Sequence, residues 1–297
     1  MKRYEIIGVL LTLLGAVLWG VSGASVQFLS NFRGMNLEWL VTMRLITAGL
    51  LTVLYAWFKY GNSIFNVFRS LKDTVGLIIF GVFGMALCQY TYFKSIALAG
   101  AGIATVLQYL APSIIIIYLL ARYGKRPSKG EIISVILALV GTICLMGNDG
   151  LSIESFPLTV LVWGLLSAVG VAVYSLSPVD LLYKYGTLPI VGFGMLMSGI
   201  VAAILFHQPN SYAMWDVWTV IGCFNVVFLG TIVSFNAYLE GVKRIGAVPG
   251  SILSSIEPIS AAFFGWAFLD NQFSLLGLIG MAMIIATVII IALEKRK

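Results

Sequence analysis

The stretch from Gly246 to Asp270, GAVPGSILSSIEPISAAFFGWAFLD, has the length of a membrane-crossing helix. About 20 apolar residues, each rising ~1.5 Å, span the ~30 Å hydrocarbon layer of a bilayer. The middle of this stretch is nevertheless polar and contains Ser254, Glu257 and Pro258. A proline there removes one backbone hydrogen bond and disturbs the carbonyl four residues earlier, at Ser254. Polar and helix-breaking residues at the centre of a membrane helix indicate a functional role.

A second stretch of the same design lies 146 residues earlier in the chain. Residues 100–124 read GAGIATVLQYLAPSIIIIYLLARYG, and Pro112 aligns with Pro258 without a gap. We therefore interpret the chain as a duplication, with one repeat in residues 1–148 and the other in residues 149–297.

The composition is that of a polytopic membrane protein. Of the 297 residues, 60% are hydrophobic and 10% are charged, whereas about a quarter of the residues in a soluble protein are charged. Cys88, Cys144, Cys223 and the single His207 have no ligand spacing between them, so we expect neither a metal site nor a cofactor. The net charge is +6. The distribution of the basic residues along the chain indicates orientation in a membrane, so nucleic acid is not an expected partner.

Ten apolar segments are long enough to cross a bilayer. They cover residues 6–30, 37–58, 74–98, 101–122, 129–147, 157–182, 188–207, 215–242, 247–269 and 273–293.

The basic residues predict the orientation of these segments. Fifteen of the eighteen Lys and Arg fall at the termini or in loops on one side, and Arg33 is alone in the loops of the other side. Because basic loops stay in the cytoplasm, both termini are predicted to be cytoplasmic, in a multi-pass protein of the plasma membrane.

The predicted fold class is an all-α polytopic membrane protein with ten transmembrane helices arranged as two inverted five-helix repeats. The inversion follows because a repeat with an odd number of spans leaves the second copy starting on the opposite side. Many secondary transporters use such repeats for alternating access, with the substrate site near the midplane.

Polar and aromatic side chains concentrate in seven of the ten predicted spans, whereas the fifth and tenth are almost featureless and suit the periphery. The predicted substrate pathway consists of Trp19, Ser22, Arg44, Gln89, Tyr92, Gln108, Tyr109, Tyr174, Asn236, Tyr238, Ser254 and Glu257. Pro112 and Pro258 mark either broken helices with free carbonyls or kinks that packing absorbs.

Three segments carry a resemblance to a known family. They are YLEGVKRIGAVPGSILSSIEPISAAFFGWAFLDNQFSLLGLIG, YFKSIALAGAGIATVLQYLAPSIIIIYLL and TMRLITAGL. They resemble EamA-like members of the drug/metabolite transporter (DMT) superfamily. The resemblance implies ten helices in two inverted bundles, with helices one to four and six to nine around a central cavity. One departure is that Gly124 and Lys125 stand opposite Asp270 and Asn271, so the acidic residue common after the fourth helix is missing.

The expected function is secondary active transport, either export or exchange, of small metabolites. Amino acids are among the substrates that the resemblance implies; nucleosides, drugs and other small polar compounds are the alternatives. A channel is a different possible class, although no repeated filter sequence is present. An enzyme is not expected, because the chain has no catalytic constellation. The expected partners are the bilayer, a small-molecule substrate and a coupling proton or counter-substrate, in a monomer or homodimer.

Glu257 and Arg44 are the two charges that the sequence places deep within predicted spans. A charge at the centre of a membrane helix costs roughly 2.5–3.5 kcal/mol on insertion scales, so each should face a partner or water. Three interpretations remain open at this point: the charges form a buried pair, Glu257 bonds a neighbouring helix terminus, or the charges bind substrate or a proton.

The predicted topology can be tested by labelling. In a protein otherwise free of cysteine, Asn62→Cys and Asp149→Cys lie in loops on opposite sides of the predicted bundle. An impermeant thiol reagent should therefore modify them from opposite faces of the membrane. Modification of both from the same face would contradict the ten-span topology.

Overall fold

A computed structural model describes residues 3–146, 158–206, 213–269 and 274–294. The described residues are almost entirely helical and contain no strand. Their ten principal helices are α1 Arg3–Arg33, α2 Leu37–Tyr60, α3 Leu71–Ala99, α4 Gly102–Tyr123, α5 Lys129–Met146, α6 Leu158–Tyr185, α7 Thr187–Leu205, α8 Val217–Ile245, α9 Ala247–Leu269 and α10 Leu275–Glu294.

Within the described ranges, nine helices are long and apolar enough to cross a membrane, namely all of these except α5. The prediction of an all-α polytopic membrane protein is confirmed. Helix α5 lies where the fifth span is expected, but the count of ten spans and the inverted repeat stay predictions. His207, for which no ligand role is predicted, lies outside the described residues.

Helices α3 and α4 form a hairpin. Helical backbone continues from Leu87 to Gln108, yet the hydroxyls of Tyr92 and Thr105, thirteen residues apart, are 2.8 Å from each other. In a straight helix thirteen residues rise about 20 Å, which no tyrosine side chain can bridge. The chain therefore bends sharply near Gly100 and returns along itself.

The helices pack in pairs that the 146-residue shift relates to one another. Helix α1 packs on α8 and α9, and α6 packs on α3 and α4. Helix α2 packs on α7, and α5 packs on α10. Helices α5 and α10 expose large apolar side chains such as Ile136 and Ile289, which suits contact with lipid.

Three of the helices are interrupted by other helical forms. Helix α3 is π-helical over Ile79–Ala86, and α8 is π-helical over Asn225–Val233. Helix α9 narrows to a 3₁₀ turn over Ser254–Ile256 and resumes at Glu257. Local π segments and mid-helix 3₁₀ turns often mark functional sites.

Glycines let α1 approach α8 and α9 closely. A Cβ atom on Gly15 would lie 2.7 Å from the carbonyl oxygen of Ser234, and one on Gly20 would lie 2.6 Å from that of Glu257. Both contacts are with backbone, which a side-chain rotation cannot relieve. Gly23, on the same helix, would meet only the Ala261 side chain, at 3.9 Å.

The variant Gly15→Ala should destabilise the protein, by about 1–3 kcal/mol, because α1 and α8 must separate to admit the methyl group. The matched variant Gly23→Ala should be neutral or stabilising, by up to about 1 kcal/mol, since alanine favours the helix. Thermal unfolding of both variants in detergent measures the difference. Equal melting temperatures for the two variants would contradict the close packing of α1 on α8.

Candidate functional site

A cavity of about 730 Å³ lies at the centre of the helix bundle. Volumes of about 300–1,000 Å³ are typical of small-molecule sites. Its wall includes residues of α1, α2, α3, α4, α6, α8 and α9, as predicted, but also Leu145 of α5 and Gly277 of α10, and no described residue of α7. It extends to the exposed Asn31, so it reaches the surface at the end of the bundle that carries Asn31, Leu37 and Ser274, which we call the open end.

The other end of the bundle, which carries Arg3, Tyr185 and Ile245, is the closed end. The wall of the cavity stops at Ser251 and Phe235. The next turns of α8 toward the closed end hold Tyr238 and Val242, whose side chains are buried.

Polar contacts between helices fasten the closed end. Lys184 of α6 forms an ion pair with Asp73 of α3 at 2.5 Å, and the guanidinium of Arg244 lies over the ring of Tyr4. Glu240 accepts hydrogen bonds from Thr187 and Arg244.

The described part of the open end contains an ion pair. Arg33, at the end of α1, binds Asp216 at 3.0 Å. Hydrogen bonds from the Thr219 backbone N–H and hydroxyl, together with Arg33, hold the pKa of the Asp216 carboxyl below its usual value.

Most of the predicted pathway residues line the cavity. They are Trp19, Ser22, Arg44, Gln89, Tyr92, Gln108, Tyr109, Tyr174, Ser254 and Glu257, and Pro112 and Pro258 lie in the same wall. Their role toward a substrate stays a prediction.

Two predicted pathway residues are not part of the wall. The Tyr238 side chain is fully buried, and its hydroxyl is 3.0 Å from that of Ser175. The Asn236 amide donates to the carbonyl of Ile232 in its own helix, at 2.8 Å. Both lie in the part of α8 that approaches the closed end.

The Tyr109 hydroxyl joins α4 to the break in α9. It lies 3.2 Å from Oε2 of Glu257 and 3.4 Å from the carbonyl oxygen of Ser254. Because Pro258 has no N–H, the Ser254 carbonyl lacks its usual helical donor. The Glu257 N–H supplies a 3₁₀ bond to this carbonyl, and the tyrosine hydroxyl approaches from the opposite helix.

Arg44 and Glu257 are both in the wall, but they do not form a salt bridge. No N···O distance between them is 4.0 Å or less, the limit for an ion pair. Nη2 of Arg44 donates to the side-chain oxygen of Gln89 at 3.0 Å, and its Nε is buried without a partner. The structure therefore does not contain the buried pair of Arg44 and Glu257, and a role of the two charges in binding substrate or a proton stays a prediction.

Aromatic rings form the floor of the cavity. The rings of Trp19 and Phe235 lie 4.9 Å apart edge to face, and Tyr174 lies 6.2 Å from Phe235. Tyr238 packs behind them, 5.0 Å from Trp19. The indole N–H of Trp19 is buried without a hydrogen-bond partner.

Some polar residues of α3, α4 and α6 bind one another. The Gln108 amide donates to the Ser167 hydroxyl at 2.7 Å and to the Cys88 sulfur at 3.4 Å. These side chains are already satisfied, so they shape the wall rather than offer free groups to a ligand. In the described part of the chain, no three potential ligand side chains come together to hold a metal ion.

The sequence analysis missed Thr105, Phe235 and Cys88 in the wall. Helical spacing could have identified Thr105, which lies one turn before the predicted Tyr109 and therefore on the same face. Phe235 and Cys88 carry no polar signal within an apolar segment, and nothing in the sequence separates them from packing residues.

Comparisons with known proteins give consistent matches over the chain. The sequence profile of the EamA-like transporter family matches two ranges, residues 6–147 and 158–293. The uncharacterized inner membrane transporter YicL of Salmonella typhimurium is 33% identical over 290 residues, which cover 98% of this chain and 96% of YicL. The threonine/homoserine exporter RhtA of Escherichia coli is 25% identical over 82% of this chain and 79% of RhtA.

A protein of known crystal structure superposes on this chain with a TM-score of 0.78. The match covers 97% of both chains at 20% sequence identity, and it supports the fold alone.

The accessibility of the cavity can be tested with Thr105→Cys and Thr91→Cys, each in a background without the native cysteines. Thr105 lines the cavity, whereas Thr91 is fully buried and donates to the Leu87 carbonyl at 2.7 Å. A hydrophilic thiol reagent should modify residue 105 roughly tenfold faster or more, because reactivity follows exposure. Similar rates at the two positions would show that the cavity is not open to water.

Proposed function

Since the chain belongs to the EamA-like transporter family of multi-pass membrane proteins, we propose that it is a secondary active transporter of small metabolites. Export or exchange of amino acids is the activity that we infer first. The observation that carries the proposal is the central cavity, which has the volume of a small-molecule site and whose wall contains Arg44 and Glu257, two charged side chains that form no ion pair with any described residue.

The shape of the cavity favours a carrier over a channel. Its wall ends at Ser251 and Phe235, and the ion pair of Asp73 with Lys184 lies beyond it at the closed end. A channel needs a continuous path across the membrane when it conducts, whereas a carrier exposes its site to one side at a time.

Amino acids come first among the substrates because of the similarity to RhtA, a protein named as a threonine/homoserine exporter. At 25% identity the similarity supports a class of substrate rather than one compound.

Alternating access between residues 1–148 and residues 149–297, as inverted halves, is the proposed mechanism. Its support is that the family profile matches twice and that the π segments Ile79–Ala86 and Asn225–Val233 begin 146 residues apart. In the opposite state the closed end opens, and Tyr238 takes the place that Tyr92 has here.

The proposed location is the plasma membrane, with both termini in the cytoplasm. Its support is the similarity to YicL, which is named as an inner membrane transporter, and the basic residues at the closed end. In this orientation the cavity faces outward. Glu257 lines the cavity beside Tyr109 and is our candidate for a coupling proton; a counter-substrate is the other means of coupling.

Purified protein in liposomes loaded with unlabelled L-threonine should take up labelled L-threonine by saturable exchange. Glu257→Gln should fold normally and exchange at least roughly tenfold more slowly, because a hydrogen bond to a charged group contributes about 1.5–3 kcal/mol. The control Glu38→Gln, at the start of α2 and outside the wall, should exchange at the normal rate.

The same exchange measurement should be made with L-leucine and with L-phenylalanine. Should Glu257→Gln reduce the amount of folded protein while the surviving fraction exchanges normally, the carboxylate is a structural partner. Absence of exchange for all three amino acids would contradict the proposed substrate class.

A further inference from the structure

We propose that Arg44 and Glu257 bind the two ends of one zwitterionic head group, Arg44 its carboxylate and Glu257 its ammonium group. This inference rests on the proposed transport function and specifies how the substrate is held. A free α-amino acid carries such a head group.

The first argument concerns charge. Among the described residues of the wall, Arg44 is positively charged and Glu257 is negatively charged, and neither forms an ion pair with a described residue. Arg44 contacts the neutral Gln89 amide, and Glu257 contacts the neutral Tyr109 hydroxyl. Both side chains line the same cavity, yet they form no ion pair with each other. Charges within membrane helices usually pair or face a pathway. A ligand with both charges would give each of these two side chains the partner that it lacks.

The second argument concerns the donors of Arg44. A guanidinium group has five N–H donors in a planar fork. In Arg44, Nη2 donates to the side-chain oxygen of Gln89, and Nε is buried without an acceptor. A carboxylate is the ligand that fits this fork, because its two oxygens accept parallel hydrogen bonds from one guanidinium.

The third argument concerns the acceptors near Glu257. The Tyr109 hydroxyl oxygen lies 3.2 Å from Oε2 of Glu257 and 3.4 Å from the Ser254 carbonyl oxygen, at the break in α9. An ammonium group has three N–H donors and needs such a set of acceptors. In the 3₁₀ turn of Ser254–Ile256, the backbone N–H of Glu257 donates to the Ser254 carbonyl.

Charge balance selects a zwitterion over other ligands. A cationic drug would pair with Glu257 and leave Arg44 with a second positive charge nearby. An anion would pair with Arg44 and face Glu257, and a neutral nucleoside would compensate neither charge. Only a ligand with both charges removes both deficits without adding net charge to the membrane interior.

The two charges also fix a single orientation. Under the 146-residue shift Arg44 corresponds to Ile190, and Glu257 corresponds to Ala111. The cavity therefore has one acidic and one basic position rather than two symmetric sets. A head group bound between them leaves the rest of the substrate to the remaining wall, which includes the rings of Trp19, Tyr174 and Phe235.

The test compares three forms of one amino acid by calorimetry on the purified full-length protein. The amino acid is whichever of L-threonine, L-leucine and L-phenylalanine binds most tightly. Its amide lacks the negative charge, and its N-acetyl form lacks the positive charge. The wild type should bind the free amino acid roughly tenfold or more tighter than either derivative.

The variants should shift this preference in opposite directions. Arg44→Gln should lose the discrimination against the amide and keep that against the N-acetyl form. Glu257→Gln should lose the discrimination against the N-acetyl form and keep that against the amide. The control Arg33→Gln removes an arginine that is bound to Asp216 outside the wall, and it should keep both preferences.

Conservative variants keep the test decisive if a neutral variant fails to fold. Arg44→Lys and Glu257→Asp retain the charges, so they should bind more weakly but keep the preference for the free amino acid. If Arg44→Gln and Glu257→Gln weaken all three ligands equally, or if neither changes the preference, the head-group assignment is wrong.

Failure of the underlying function gives a different result. If none of the three free amino acids binds while the protein exchanges a non-zwitterionic metabolite in liposomes, transport stands and the zwitterion site is refuted. If the protein in liposomes transports no small metabolite at all, the proposed function itself fails.

Discussion

The Tyr109 hydroxyl, placed against the break in α9, is the interaction on which the site depends. A membrane helix must satisfy its backbone polar groups internally, because lipid offers no hydrogen bonds. Pro258 withdraws one donor, and the Ser254 carbonyl is then satisfied by a 3₁₀ bond and by a tyrosine from α4. The same tyrosine contacts Glu257 at 3.2 Å, so one break in a helix both positions the carboxylate and joins the two halves of the chain.

Close packing elsewhere allows the cavity to persist. Glycines of α1, such as Gly15 and Gly20, bring that helix into backbone contact with α8 and α9. The ion pair of Asp73 with Lys184 fastens α3 to α6 at the closed end. Arg44 and Glu257 both line this cavity, and each side chain is held by a separate partner, Gln89 for Arg44 and Tyr109 for Glu257.

Hydropathy and the internal repeat predict the helices and the polar break around Pro258 well, because both depend on local composition. Of the twelve residues predicted to line the pathway, ten lie in the wall of the cavity. Tyr238 and Asn236 lie outside the wall because the cavity extends from the centre of the bundle toward one end only, and they lie toward the other end. A repeat in the sequence does not reveal which end is open. The partners of Arg44 and Glu257 could not be predicted, since they are 45 and 148 residues away in the chain.

The most direct measurement is a structure of the protein with a bound amino acid, at a resolution that separates its carboxylate from its ammonium group. We expect the carboxylate on the guanidinium of Arg44 and the ammonium group between Glu257 and the Ser254 carbonyl. An amino acid bound in the reverse orientation, or elsewhere in the cavity with Arg44 closed onto Glu257, would contradict the assignment.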